Sequence, residues 1–124
     1  MITVLPSDNA EEIRSMFAEN GVPYSENAGL VTAKFNEEIL GFCLYALDSD
    51  CITVYTLSPE NDIMLADGIL RSALHIAVRR KILKAAYSEN APEELFEKLG
   101  FVKNKEERTL DISKLFSDCS CKDG

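Results

Sequence analysis

The sequence predicts an α+β domain in the order β-α-β-β-β-α-β-α-β-β, with a mixed sheet built around a central antiparallel meander. Three strand-like runs, Leu30 to Phe35, Ile39 to Leu47 and Cys51 to Leu57, are split only by Asn36-Glu37-Glu38 and Asp48-Ser49-Asp50. Polar connectors this short join antiparallel neighbours and cannot make the crossover of a parallel pair. From Asp62 onward, apolar residues recur at Ile63, Ala66, Ile69, Leu70, Ala73, Leu74, Ala77 and Val78, the period of a helix with one buried face. With 124 residues and a hydrophobic content of 46%, the chain suffices for one core, expected over residues 1–116, followed by a polar tail over 117–124.

The remaining elements follow from local signals. Ile2 to Leu5 is a short β-branched run, and Pro6-Ser7-Asp8 makes a turn into a helix, with Asp8 and Glu11 spaced as in a capping box. Ile13, Met16 and Phe17 fall at helical spacing, Asn20-Gly21 supplies the stop, and Val22 to Ala28 reads as a loop. The long helix runs from Asp62 towards Leu83, with Arg71, His75 and Arg79 on a second face. His75 therefore lies between two arginines on the solvated side, without an acidic orienting group at helical spacing, and reads as a surface residue. Ile82 to Tyr87 reads as the next strand. Ser88-Glu89-Asn90 leads into a short helix in which Asn90 caps, Pro92 sits in the first turn and Glu93 completes a capping box. Gly100 ends that helix, and Phe101-Val102-Lys103 and Arg108 to Phe116 read as two closing strands around the turn Asn104 to Glu107.

Charge narrows the function classes. Lys and Arg total 13 against 21 Asp and Glu, a formal net charge of −8, which opposes nucleic acid because its binding relies on neutralising phosphates. No apolar run approaches the roughly 20 residues that cross a bilayer, and Met1-Ile-Thr-Val-Leu-Pro lacks the basic start and apolar centre of a secretory signal. No membrane partner is expected, and the protein is expected in the cytoplasm. Cys43 and Cys51 lie in strand-like runs, where a free Cys behaves as a small hydrophobe. Cys119 and Cys121 form a Cys-x-Cys in the polar tail, a shorter spacing than zinc loops use and without a second pair, so no metal site is expected.

The passage from Cys51–Ser58 through Pro59 into a helix carrying Gly68 near its start is the kind of place where folds hold phosphates, since unpaired N–H groups and the positive end of the helix dipole point outward there. The order of elements, together with Asn90-Ala-Pro-Glu-Glu-Leu-Phe-Glu-Lys-Leu-Gly-Phe101 and Leu57-Ser58-Pro59-Glu60, resembles the GNAT superfamily of N-acetyltransferases over nearly the whole chain. The resemblance implies a sheet with splayed central strands, acetyl-CoA as acyl donor, and a small-molecule amine or protein amine as acceptor.

It also implies site residues. The splayed sheet near Thr56 and Leu57 would bind the pantetheine arm, and the family's phosphate loop falls on Leu65 to Leu70, where Gly68 matches. Asp67, Gly68, Ile69, Leu70 and Arg71 are then the expected pyrophosphate segment, with Asn90 and Phe96 at the short helix. Leu65 stands where the family has Arg or Gln, Leu70 where it has a second small residue, and Pro59 to Gly68 is three residues longer than usual. Phe96 takes the place of the Tyr that protonates the leaving thiolate, leaving Tyr87 and Tyr55 as alternative donors. Glu60, Asp50 and Asp48 are the carboxylates near strand ends that could act as a base. Gly68 reads equally as a packing point against the sheet, and Asp62 and Asp67 as partners of the helix dipole. Two functions stay open: an acyltransferase, or a catalytically degenerate GNAT-fold binding or interaction module. The exposed edge of such a sheet also invites pairing into a homodimer.

Overall fold

Seven strands and three principal helices follow one another in the predicted order in the computed structural model, which describes residues 1–116. The Cys119 and Cys121 pair lies outside the described residues. The elements are β1 (Thr3–Pro6), α1 (Ala10–Glu19), β2 (Ala28–Phe35), β3 (Glu38–Leu47), β4 (Ile52–Ser58), α2 (Ile63–Arg79), β5 (Ala85–Tyr87), α3 (Glu93–Leu99), β6 (Val102–Asn104) and β7 (Thr109–Leu110). The sheet order is β1-β2-β3-β4-β5-β7-β6. β2, β3 and β4 form the expected antiparallel meander, and β4 with β5 is the parallel pair.

Strand alternation sends residues to two opposite faces. Val31, Ala33, Cys43, Tyr45, Val54 and Leu57 join the buried stripe of α2, which runs through Ala66, Ile69, Leu70, Ala73, Leu74 and Ala77. Leu30 and Leu44 meet Phe17 of α1 in a smaller cluster. Each large side chain so buried contributes about 1.5–3 kcal/mol. The β2–β3 turn is held by Asn36 and Glu37, both left-handed at φ 53° and 73°, which matches the twist of the strands it joins. At the end of α1, Gly21 takes φ 69° and the Val22 N–H donates to Phe17 O at 2.9 Å, the stop expected from Asn20-Gly21.

Several local expectations need correction. Asn9, rather than Asp8, caps α1, its carboxamide accepting from the N–H groups of Glu11 and Glu12. α2 stops at Arg79 instead of Leu83 because Lys81 adopts φ 64° and the Ile82 N–H returns to Ala77 O; β5 accordingly starts only at Ala85. No side chain caps α3: the residue before it is Pro92, and Asn90 lies in the preceding turn, where the Ala91 N–H donates to Ser88 O at 3.0 Å. The last strand is only Thr109–Leu110, since Asp111 then turns the chain by accepting from the Ser113 N–H and hydroxyl.

Candidate functional site

The parallel pairing of β4 with β5 ends after Val54 and Tyr87, where the Ser88 N–H donates to Val54 O at 2.9 Å. Beyond that point β4 continues along β3 while the chain after β5 turns away into α3. No other strand among the described residues pairs with Tyr55 to Ser58 on the side that β5 has left. The β3–β4 register slips at the same place, Leu44 opposing Thr56 and Tyr45 opposing Val54, so Tyr55 is the extra residue of a bulge. Bulges re-aim side chains and end pairing, and here both happen at one spot.

A cleft of about 330 Å³ fills the parting. β4 lines it with Tyr55 and Thr56, the β5–α3 turn with Ser88, Glu89 and Asn90, and the α1–β2 loop closes it with Asn20 to Pro23. The Tyr55 ring is held edge-on by Phe17 at 6.0 Å, and Phe17 meets Tyr24 in the same way at 6.0 Å, with the Arg14 guanidinium 5.1 Å from the Tyr24 ring centre. Tyr55, the ring that lines the cleft, is thus backed by packed aromatic neighbours. Thr56 and Asn90, two residues expected at the site, meet here. Glu89 was not among them, although it sits directly before Asn90; it is the one carboxylate lining this cleft.

Other expected residues lie elsewhere. Leu57, Ile69, Leu70 and Phe96 are buried in the core. The Tyr87 hydroxyl donates to the Glu93 carboxylate, and burial, followed by that carboxylate, pushes its pKa up to about 12. A phenol so committed is a poor proton donor at neutral pH. Its ring packs on Phe96, centroids 5.2 Å apart. Glu60 is exposed just past β4. Asp48 and Asp50 stand in the β3–β4 turn at the opposite end of β4, where Asp48 accepts from the Asn27 amide at 2.6 Å. His75 is exposed on α2, on the solvated side where its spacing put it.

The helix start differs most from expectation. Asp62 is the N-cap of α2: its carboxylate accepts from the Leu65 N–H at 3.1 Å, and its carbonyl accepts from the Ala66 N–H at 3.0 Å. The helical ladder therefore begins at Ala66, and the amides of Gly68 to Arg71 lie inside it, donating to carbonyls four residues back. They are not exposed donors for a pyrophosphate. A Cβ built on Gly68 meets nothing within 4 Å, so Gly68 is not a packing point against the sheet either. Asp67 accepts from Arg71 Nε at 2.7 Å, and the guanidinium lies 5.2 Å from the centre of the Phe101 ring. Coenzyme A thus finds a mixed fit. The open β4 edge suits its amide-bearing arm, and the carboxylate-capped helix start does not suit its diphosphate.

Solved structures share this architecture. A putative acetyltransferase from Exiguobacterium sp. 255-15 is 15% identical, with 96% of this chain and 98% of that one covered at a TM-score of 0.58. The ribosomal-protein-alanine N-acetyltransferase of Brucella melitensis biovar Abortus 2308 is 14% identical over 80% and 90%, at 0.58. The fold is that of the GNAT acetyltransferases. A GNAT family acetyltransferase from Elizabethkingia anophelis, solved with acetyl-CoA bound, is 14% identical over 82% of this chain and 74% of that one, at 0.55. No family model and no curated protein matches the sequence. The GNAT fold accounts for the parted central strands seen here. Among the described residues, no group of His, Cys, Asp and Glu is placed to hold a metal, and no helix is long and apolar enough to cross a membrane.

Proposed function

We propose that this chain is an N-acyltransferase that moves an acyl group from a pantetheine thioester such as acetyl-CoA to an amine, borne by a small molecule or a protein. The observation that supports the reading is the unpaired edge of β4 beside the cleft, past Val54 and Tyr87. Such an edge offers main-chain N–H and C=O groups to an extended ligand carrying amides of its own. In the reaction the amine nitrogen forms a bond to the thioester carbon, the C–S bond breaks, sulfur leaves with its electron pair, and the proton lost from nitrogen ends on sulfur or in solvent.

This chain's residues would do three things. Glu89, lining the cleft, attracts the ammonium form of the acceptor and takes its proton. Thr56 and Asn90 orient the reactants through a hydroxyl and a carboxamide. The Tyr55 ring, backed by Phe17, excludes water from one wall. Phe96 supplies no proton to the departing sulfur, which forgoes a factor of about 10²–10⁴, yet a thiol with a pKa near 8.5 leaves without much help.

Isothermal calorimetry with acetyl-CoA, followed by mass spectrometry of an amine panel incubated with both, tests the proposal. Heat of binding and amines heavier by one acetyl group are expected; no heat at millimolar ligand would remove it. A second reading, a non-catalytic binding module on the GNAT fold, is favoured by the Asp62 cap and by the commitment of the Tyr87 hydroxyl to Glu93. Binding without any acylated product is its signature.

A further inference from the structure

Resting on the acyl-transfer reading, we infer that Asp62 sets donor choice: the site takes a pantetheine thioester by its arm and gains no affinity from the diphosphate of coenzyme A. A diphosphate at a helix start needs unpaired N–H groups and a positive end to the dipole. Here Asp62 Oδ1 holds the Leu65 N–H at 3.1 Å and Asp62 O holds the Ala66 N–H at 3.0 Å. Only the Ile63 and Met64 N–H groups of the first turn stand outside these bonds and the ladder. Swinging the Asp62 side chain aside to admit a phosphate would only exchange one anionic acceptor of the Leu65 N–H for another, and would keep a carboxylate well inside the Debye length of about 8 Å, where salt screens it poorly.

The charged neighbours of Asp62 along the chain do not reverse that sign. Arg71, the basic residue closest along the helix, holds Asp67 at 2.7 Å and stacks over Phe101, so its charge is already matched. Glu60, on the other side of Asp62, adds a further exposed carboxylate. The side chains that do reach out at the helix start are apolar, Ile63 at 39% and Met64 at 86% exposure. The pantetheine arm meets none of these objections, because it is uncharged and its amides match the unpaired main chain of Tyr55 to Ser58.

The test is calorimetric binding of S-acetylpantetheine and of acetyl-CoA to the full chain and to Asp62→Asn, a variant that retains an N-cap acceptor and so keeps α2 capped. The wild type is expected to bind the two thioesters within about threefold of each other. The variant is expected to gain roughly tenfold for acetyl-CoA alone, a gain that shrinks as salt is raised. A wild-type preference for acetyl-CoA beyond about threefold, or an unchanged ratio in the variant, overturns the inference and leaves the acyl-transfer reading standing. Binding of neither thioester to either protein overturns that reading and this inference with it.

Discussion

The carboxamide of Asn9 accepts from Glu11 N–H at 2.9 Å and from Glu12 N–H at 3.2 Å, and Asp8, one residue earlier, is exposed. Ser7 decides between them. Its hydroxyl accepts from the Asn9 N–H at 3.2 Å and donates to Glu12 Oε1 at 2.6 Å, which fixes Asn9 as the last non-helical residue. The same Ser7 bond is the main reason the Glu12 carboxyl titrates below its usual range, with Lys34 at 3.3 Å helping. Removing a good N-cap costs about 1 kcal/mol. Asn9→Ala is therefore expected to lower unfolding stability by about that much in urea titrations, and Asp8→Ala by less than about 0.5 kcal/mol. The reverse ranking would restore Asp8 as the cap.

At the level of elements, two glycines have opposite meanings. β3 passes so close to the end of β4 that a Cβ on Gly41 would lie 2.6 Å from Ser58 O and 2.7 Å from Ile69 Cδ1. A backbone oxygen cannot rotate away, so Gly41→Ala must push β3 off β4 or off α2. It is expected to cost about 1–3 kcal/mol and to weaken thioester binding, because Ser58 belongs to the open strand edge. Gly68 sits in the interior of α2 with open space around it. Gly68→Ala is expected to raise stability by about 0.5–1 kcal/mol, the usual gain of Ala over Gly within a helix, and to leave acetyl-CoA binding within about twofold, since a main chain already bonded in the ladder has nothing to offer a phosphate. Thermal unfolding and calorimetry on the two variants decide both statements, and a large loss of binding in Gly68→Ala would return that residue to the cofactor site.

For the whole molecule, the core holds three groups in their protonated forms. Burial raises Cys43 from 9.0 to about 12, and Tyr45 and Tyr87 from 10.0 to about 12, with Glu93 adding to the effect at Tyr87. Each folded-state pKa lies above its unfolded value, so between roughly pH 9 and pH 12 the native state binds more protons than the unfolded one. The stability these groups contribute is complete below pH 9 and is lost as pH climbs towards 12. The net charge of −8 works in the same direction as lysines lose their protons, by adding to self-repulsion. Urea denaturation between pH 8 and pH 12 is expected to show stability falling steadily, with a shallower fall in the double variant Tyr45→Phe, Tyr87→Phe. A flat profile to pH 12 would mean that these groups ionise in the folded protein.

The order of ten elements, the antiparallel meander and the helix stops at Gly21 and Gly100, left-handed at 69° and 80°, were legible in the chain itself. Apolar periodicity, connector length and turn chemistry act over a few neighbouring residues, and those neighbours are visible in a sequence. Tertiary structure alone decided that Asn20 to Pro23, Tyr55 and Thr56, and Ser88 to Asn90 face one another across a single cleft. It also decided that Glu89 stands there while Leu57, Ile69, Leu70 and Phe96 turn into the core. These outcomes depend on where the parallel pairing of β4 with β5 stops, a contest between segments far apart in the chain that local pattern does not record.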